Sequence, residues 1–294
     1  MVFEKLTSEH IPLLRTRFAQ QGWRICDCSA GAVVMWADFL GTEIGEAAGR
    51  LVLRGNMPGG PRCFSFPIGS GDAGAALDEI ERYAAEAGAD LLFDGVPEEG
   101  LAVLRARYGE RLTASTDPDE WDYLYEADAL KTFPGKKLSG PRNHLNKFRR
   151  LYPDAHLVEV DDGNRDRVRD FCRAFAAERQ GDVNLARQEG RASVRLIDLI
   201  DRIGPAAFLE AGGELVAVCL GEVVDDTLFV HVEKALGEYP GVYQAMVSAF
   251  AEKYAVGGVK YINREEDDGV PGLRQSKESY RPVAMLKKYL VRIG

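Results

Sequence analysis

The stretch AAFLEAGGELVAVCLGEVVDDTLFVHVEKA, residues 206–235, constrains the fold more than any other part of the chain. Three apolar runs are separated by AGGE and VDDT, whose Gly and Asp suit tight turns, so the stretch reads as a three-strand meander. A helix (GVYQAMVSAFAEKYAVGG, 241–258), a strand (VKYIN, 259–263), a short helix (GLRQSKESY, 272–280) and a final strand (VAMLKKYLVRI, 283–293) follow. Ahead of the meander come a strand, HLVEVDD, and two helices, NRDRVRDFCRAFAAER (164–179) and GRASVRLIDLIDRIG (190–204). Such an order places helices on the faces of a mixed sheet, an α/β or α+β domain.

The first half of the chain uses the same grammar. SEHIPLLRTRFAQQ places apolar residues at 11, 14 and 18, a helical spacing, with Ser8 placed to cap. AVVMWADF (32–39), GRLVLRG (49–55) and PRCFSFPIG (61–69) read as strands. DAGAALDEIERYAAEAG is an amphipathic helix that Asp72 can cap and Gly88 can end. DLLFDGV is a buried strand, EEGLAVLRARYG a helix and EWDYLYEAD an alternating strand. A pattern that occurs twice predicts two like-built domains, residues 1–128 and 151–294, joined by a bridge at 129–150.

That bridge carries the most uneven charge in the chain. The protein has 37 basic and 46 acidic residues, a formal charge of −9. Yet residues 131–150 hold Lys131, Lys136, Lys137, Arg142, Lys147, Arg149 and Arg150 with no acid among them. Net acidity argues against indiscriminate nucleic-acid binding but leaves room for one confined phosphate site. If GPRNHLNKFRRLY is helical, Leu145, Phe148 and Tyr152 form its buried stripe, and Arg142, Asn146 and Arg149 flank it with Arg150 and Asn143 close by. Guanidinium forks on one flank suit phosphate or carboxylate. A solvated charged face is the other reading.

Two further stretches carry candidate chemistry. In HVEKALGEYPGVYQAM a strand ends in His231, Glu233 and Lys234, then turns through Gly241 into a helix whose free N–H groups suit an anion. Glu233 is a candidate general base, or else a strand-end ion-pair partner of Lys234 or an arginine. In YINREEDDGVPGLRQSKESYRP, Asn263 and Arg264 end a strand and four carboxylates follow. Those acids can cap the next helix, or hold a metal or an ammonium. On that helix Arg274, Lys277 and Arg281 share one face, Leu273 and Tyr280 another.

These stretches, with WDYLY ahead of the bridge, resemble the phosphatidylglycerol lysyltransferase C-terminal domain family, in order from about residue 20 to the end. The resemblance implies two GNAT-like acyltransferase domains in tandem, and acyl transfer that requires no metal or other cofactor. Membrane-bound members move lysine or alanine from an aminoacyl-tRNA to phosphatidylglycerol. It therefore implies a tRNA partner, and a small-molecule or lipid-headgroup acceptor bearing an amine or hydroxyl. GLRQSKESY is also similar to a Lys-containing segment of peptidoglycan-bridge aminoacyltransferases, which implies that Lys277 faces the donor phosphate or the forming oxyanion. Glu233, Lys277 and Tyr280 are then the candidates for chemistry. Arg142, Asn143, Asn146, Arg149, Arg150, His231, Gly241, Tyr243, Asn263, Arg264 and Arg274 are the candidates for holding the donor.

One departure bears on the donor. GNAT enzymes cradle the coenzyme A pyrophosphate on (Gln/Arg)-x-x-Gly-x-(Gly/Ala), whereas EYPGVY keeps only Gly241, with Glu238 and Tyr243 at the flanking positions. Aminoacyl-tRNA is the expected donor, with acyl-coenzyme A the alternative and a non-catalytic binding module a third reading. No apolar run reaches the ~18 residues of a membrane-crossing helix. The charged start MVFEKLTSEH lacks a signal core, so the expected location is the cytoplasm. The cysteines, at 26, 28, 63, 172 and 219, lack the paired spacing of a zinc site. Cys26 and Cys28 read as neighbouring thiols, with a soft metal as the alternative; Cys172 and Cys219 read as small core residues.

Overall fold

The computed structural model describes residues 1–178 and 183–294. The chain divides into two units, Met1–Asp122 with Leu286–Gly294, and Tyr123–Met285. The first unit holds strands β1 (Phe3–Lys5), β2 (Glu43–Ala47), β3 (Arg50–Asn56), β4 (Arg62–Phe64), β5 (Leu91–Val96) and β6 (Leu112–Ser115). Its helices are α1 (Ile11–Gln21), α2 (Ala30–Leu40), α3 (Ala73–Ala87) and α4 (Glu98–Tyr108). The end of the chain, β14 (Tyr289–Ile293), completes this sheet in the order β1-β2-β3-β4-β5-β14-β6.

α3 shows how the sequence sets an element. Asp72 accepts hydrogen bonds from the free amides of Gly74 (2.8 Å) and Ala75 (3.1 Å), a cap worth about 1 kcal/mol. Ala76, Leu77, Ile80 and Ala84 form the buried stripe, and Gly88 ends the helix at φ 60, where a side chain would be strained. α2 corrects the expected strand at 32–39. Its apolar run is helical because Ala30, Val34, Met35 and Ala37 recur at helical spacing toward the core, and Gly41 closes it at φ 58. Ser8 is not the cap of the first helix either: it opens a 3-10 turn capped at Thr7, and α1 starts at Ile11.

The second unit runs β7 (Asp122–Glu126), α5 (Ala127–Thr132), α6 (Ser139–Leu151), β8 (His156–Glu159), α7 (Arg165–Glu178), α8 (Val183–Asp198) and α9 (Ile200–Ile203). It continues with β9 (Ala206–Ala211), β10 (Glu214–Val224), β11 (Thr227–Ala235), α10 (Val242–Tyr254), β12 (Tyr261–Asn263), α11 (Pro271–Ser279) and β13 (Ala284–Leu286). The sheet order is β13-β7-β12-β11-β10-β9-β8. Arg179, the last residue of the helix expected at 164–179, lies outside the described residues.

Two expectations about the domains change. The seam lies at Tyr123, not at 129–150, because β7 pairs with β12 (Ile262 with Tyr125) and so belongs to the second sheet. The single final strand is two: Ala284–Leu286 joins the second sheet, and Tyr289–Ile293 the first. The basic segment is no bridge either. α6 lies inside the second unit, burying Leu145 and Phe148 in the core that α10 lines with Val242, Ala245 and Met246.

The feature that makes a site is a parallel pair that parts early. β11 pairs with β12 only from Thr227 with Tyr261 to Phe229 with Asn263, while its antiparallel pairing with β10 runs on to Ala235. Past Phe229, β11 and the chain leaving β12 diverge into a wedge.

Candidate active site

The wedge is filled by charge. Phe229 and His231 stack on one face of β11 with their rings 6.4 Å apart, and a bulge opposite Leu220 and Gly221 turns Glu233 to the other face, where it pairs with Cys219. Opposite them, the chain leaving β12 supplies Arg264 and Glu265. Arg264 donates through one nitrogen to both oxygens of Glu233, at 2.9 and 3.0 Å. Its guanidinium lies 4.6 Å above the ring of Tyr280 and 5.8 Å from that of Tyr125. Burial alone would lower the Arg264 pKa, but Glu233 and the two tyrosines hold it above the ordinary arginine range.

His231 bridges two acids. Its Nδ1 lies 2.8 Å from Glu265 Oε1, and its Nε2 lies 3.7 Å from Oε2 of Glu222, a wholly buried residue on β10. Burial opposes the imidazolium charge, yet Glu222 and Glu265 outweigh it and raise the pKa to about 9. The same burial pushes the Glu265 carboxyl up, and the hydrogen bond from His231 opposes that rise. Glu265 sits at φ 55, a left-handed conformation that costs a non-glycine residue of order 1–3 kcal/mol. The Asn263 side chain holds it there, accepting from the Glu265 amide at 2.6 Å.

A pH prediction follows from His231. Its pKa is raised on folding from 6.5 to about 9, so the charged pair stabilises the fold fully below about pH 6.5 and that contribution is lost as pH rises through about 9. Urea unfolding across that range should show falling stability, with a flatter slope in His231→Gln. A wild-type curve that is level or rises would contradict the assignment.

Several expected site residues are engaged within the second unit instead. Lys277 is buried, and its ammonium donates to the carbonyl of Arg264 at 2.6 Å and to that of Glu266, so it clamps α11 onto the turn after β12 rather than facing outward. Tyr280 is wholly buried beneath Arg264 and against Phe133. Arg274 forms a fork with Asp267 (2.9 and 2.7 Å), to which Tyr123 also donates at 2.6 Å. Burial works against the Asp267 charge, but these partners hold its pKa below the usual carboxylate value. Arg281 has left the helix, which ends at Ser279, and is exposed.

The basic helix favours the solvated charged face over a confined phosphate site. Arg142 donates to the carbonyls of Phe133 (2.6 Å) and Gly135 (2.8 Å), closing the end of α5. Asn143, Asn146, Arg149 and Arg150 are exposed on the surface of the second unit. Arg149 lies 3.9 Å from Glu252. Lys136, Lys137, Lys147 and Arg150 are exposed too, so α6 and the turn before it present a cationic outer face.

Gly241 has a definite reason to be glycine. It stands at φ 88 before α10, and a Cβ there would lie 2.2 Å from the His144 carbonyl and 3.1 Å from the Phe148 Cβ. The backbone of α6 thus lies directly on the turn that opens α10. Tyr243, in the first turn of α10, is half-buried against the core.

Glu222 was missed in the sequence, although a carboxylate inside the apolar run VAVCLGEVV was a readable signal. Glu265 stood only as one of four acids before a helix, and nothing local marked it as the partner of His231. His231 and Glu265 thus offer an imidazolium and a carboxylate able to take a proton on one face of the sheet, while the Arg264–Glu233 pair sits on the other with Tyr125 and Tyr280.

The family's sequence profile for phosphatidylglycerol lysyltransferase, C-terminal, matches residues 21–292. The chain belongs to that family. The family fold is apparent in solved structures as well. A conserved protein of unknown function from Bacteroides thetaiotaomicron is 28% identical with a TM-score of 0.92, covering 99% of both chains. L-PGS from Bacillus licheniformis is 15% identical with a TM-score of 0.72, over 100% of this chain and 94% of that one. A tandem GNAT protein from the clavulanic acid biosynthesis pathway is 11% identical with a TM-score of 0.50, covering 99% and 98%. These place the lysyltransferase-family chain in the tandem GNAT-like fold. An uncharacterized protein of Mycoplasmoides gallisepticum is 25% identical over 176 residues, 58% of this chain, and the match spans 56% of that protein. Among the described residues, no helix is long and apolar enough to cross a membrane.

Proposed function

We propose that the chain transfers an aminoacyl group from an aminoacyl-tRNA to an amine or hydroxyl acceptor. The acceptor attacks the ester carbonyl, the tRNA 3′-terminal hydroxyl leaves, and the acceptor's proton passes to a carboxylate of the wedge. Glu265 suits that role better than Glu233. Glu233 is held in a two-pronged ion pair, whereas burial raises the pKa of Glu265 toward the working range of a general base. His231 orients Glu265 and places positive charge beside it.

The observation that carries this reading is the packing of α6 on Gly241. In coenzyme A-dependent relatives of this fold, the corresponding turn cradles pyrophosphate. Here the His144 carbonyl takes the space a Cβ at Gly241 would need, and the same helix turns a cationic face outward. That arrangement disfavours a pyrophosphate at the turn and favours a polyanion along the helix.

Thermal shift separates the donors. Aminoacyl-tRNA should raise the melting temperature at micromolar concentration and acetyl-coenzyme A should not. The opposite pattern would replace this reading with an acyl-coenzyme A-dependent transferase.

A further inference from the structure

A second charged cluster is built from residues of the first unit. Cys26, in the 3-10 turn before α2, is buried, and the Lys288 ammonium, just before β14, lies 3.4 Å from its sulfur. Asp122, wholly buried, touches both: one oxygen is 3.0 Å from Lys288 Nζ and 3.4 Å from Cys26 Sγ, and the other accepts from the Cys26 amide at 2.5 Å. Asp27 adds a second carboxylate, 3.4 Å from Lys288 Nζ and 3.6 Å from Cys26 Sγ. The remaining cysteines are buried and free, and a direct hydrogen bond between a lysine and a cysteine is seen among the described residues only at Cys26.

The chemistry of these atoms is specific. Asp122 is placed to accept the thiol proton, and the ammonium beside the sulfur stabilises the thiolate that results. A thiolate attacks peroxide, the O–O bond breaks, and a sulfenic acid and water form. A sulfenic acid condenses with a neighbouring nitrogen to give a sulfenamide. At 3.4 Å, Lys288 Nζ is the nitrogen in reach.

We propose that Cys26 and Lys288 form a covalent S–N link when the protein meets hydrogen peroxide. The thiol and amine each lose one hydrogen, peroxide is reduced to two waters, and sulfur is the atom oxidised. The ammonium sheds its further proton through Asp122 to solvent. The link ties the end of the chain to its beginning, closing a loop between positions 26 and 288. β14 follows it directly, so oxidation would fasten that strand into the first sheet.

The test is peptide mass spectrometry of the intact protein treated with hydrogen peroxide, with dimedone present to trap any sulfenic acid left unlinked. The wild type should yield a joined pair of peptides, one bearing Cys26 and one bearing Lys288, lighter than their sum by two hydrogens and separated again by dithiothreitol. The melting temperature should rise by more than about 3 °C on oxidation and return on reduction. Lys288→Arg keeps a cation beside Asp122 and should instead give dimedone-labelled Cys26. Wild-type Cys26 labelled by dimedone or oxidised to sulfinic acid, without a joined pair, overturns the proposal. So does a Cys26 that stays reduced while Cys63 is oxidised. The wild-type result decides the matter even if the variant fails to fold.

Discussion

A chain that stops at Lys288 will lose the fold of its first unit. β14 lies inside that sheet, paired to β5 from Tyr289 with Val96 to Ile293 with Leu91, and to β6 from Leu290 with Ser115 to Ile293 with Leu112. Deleting it opens both ladders and uncovers the core under Val291 and Ile293, which are buried. Burial of two such side chains is worth about 2 kcal/mol each, and each ladder hydrogen bond about 1 kcal/mol net. The total is of order 10 kcal/mol, comparable with the whole stability of a domain. Limited proteolysis should cut the truncated chain within residues 1–122 at the rate of an unfolded segment, and circular dichroism should show the matching loss of ordered structure. Protection equal to the full chain would mean that β5 and β6 close on each other without β14.

Arg264→Met should cost about 3–5 kcal/mol, because it leaves the Glu233 carboxylate with no cation in a site where both residues are nearly buried. Replacing both, Arg264→Met with Glu233→Met, should recover most of that loss, since neither charge is then left stranded. Urea unfolding of the wild type, the two single variants and the double variant measures the coupling. A double variant as unstable as Arg264→Met alone would show that the guanidinium acts chiefly through its stacking on Tyr280, not through the ion pair.

The strands and helices of the second unit could be read from the chain because their signals are local. β9, β10 and β11 are apolar runs separated by turns, and α10 ends before the two glycines its pattern points to. α2 misled because VVMW is as compatible with a buried strand as with a buried helix over so short a run. The break in VAMLKKYLVRI was invisible, since residues 284–286 and 289–293 share one alternation and differ only in which sheet receives them.

The site divides the same way. Helical spacing put Leu145 and Phe148 on the buried side of α6, as found. It could not show that Arg142 would turn back to carbonyls left free where α5 ends. Glu233 as the partner of an arginine was one of its two readings. The arginine is Arg264, thirty-one positions on, and only the pairing of β11 with β12 brings the two together. The resemblance implied that Lys277 faces the donor, but a sequence carries charge and not direction. The Lys277 ammonium is spent on backbone carbonyls.

The central claim is that the outer face of α6 holds the phosphates of a tRNA donor. The most direct test is the salt dependence of aminoacyl-tRNA binding by the wild type and by Lys147→Glu with Arg150→Glu, both exposed positions whose replacement leaves the core untouched. The wild-type affinity should fall steeply with salt, and the double variant should lose about 0.7–0.9 of the logarithmic slope for each contact removed. An affinity that ignores salt, or a double variant with the wild-type slope, would contradict the claim.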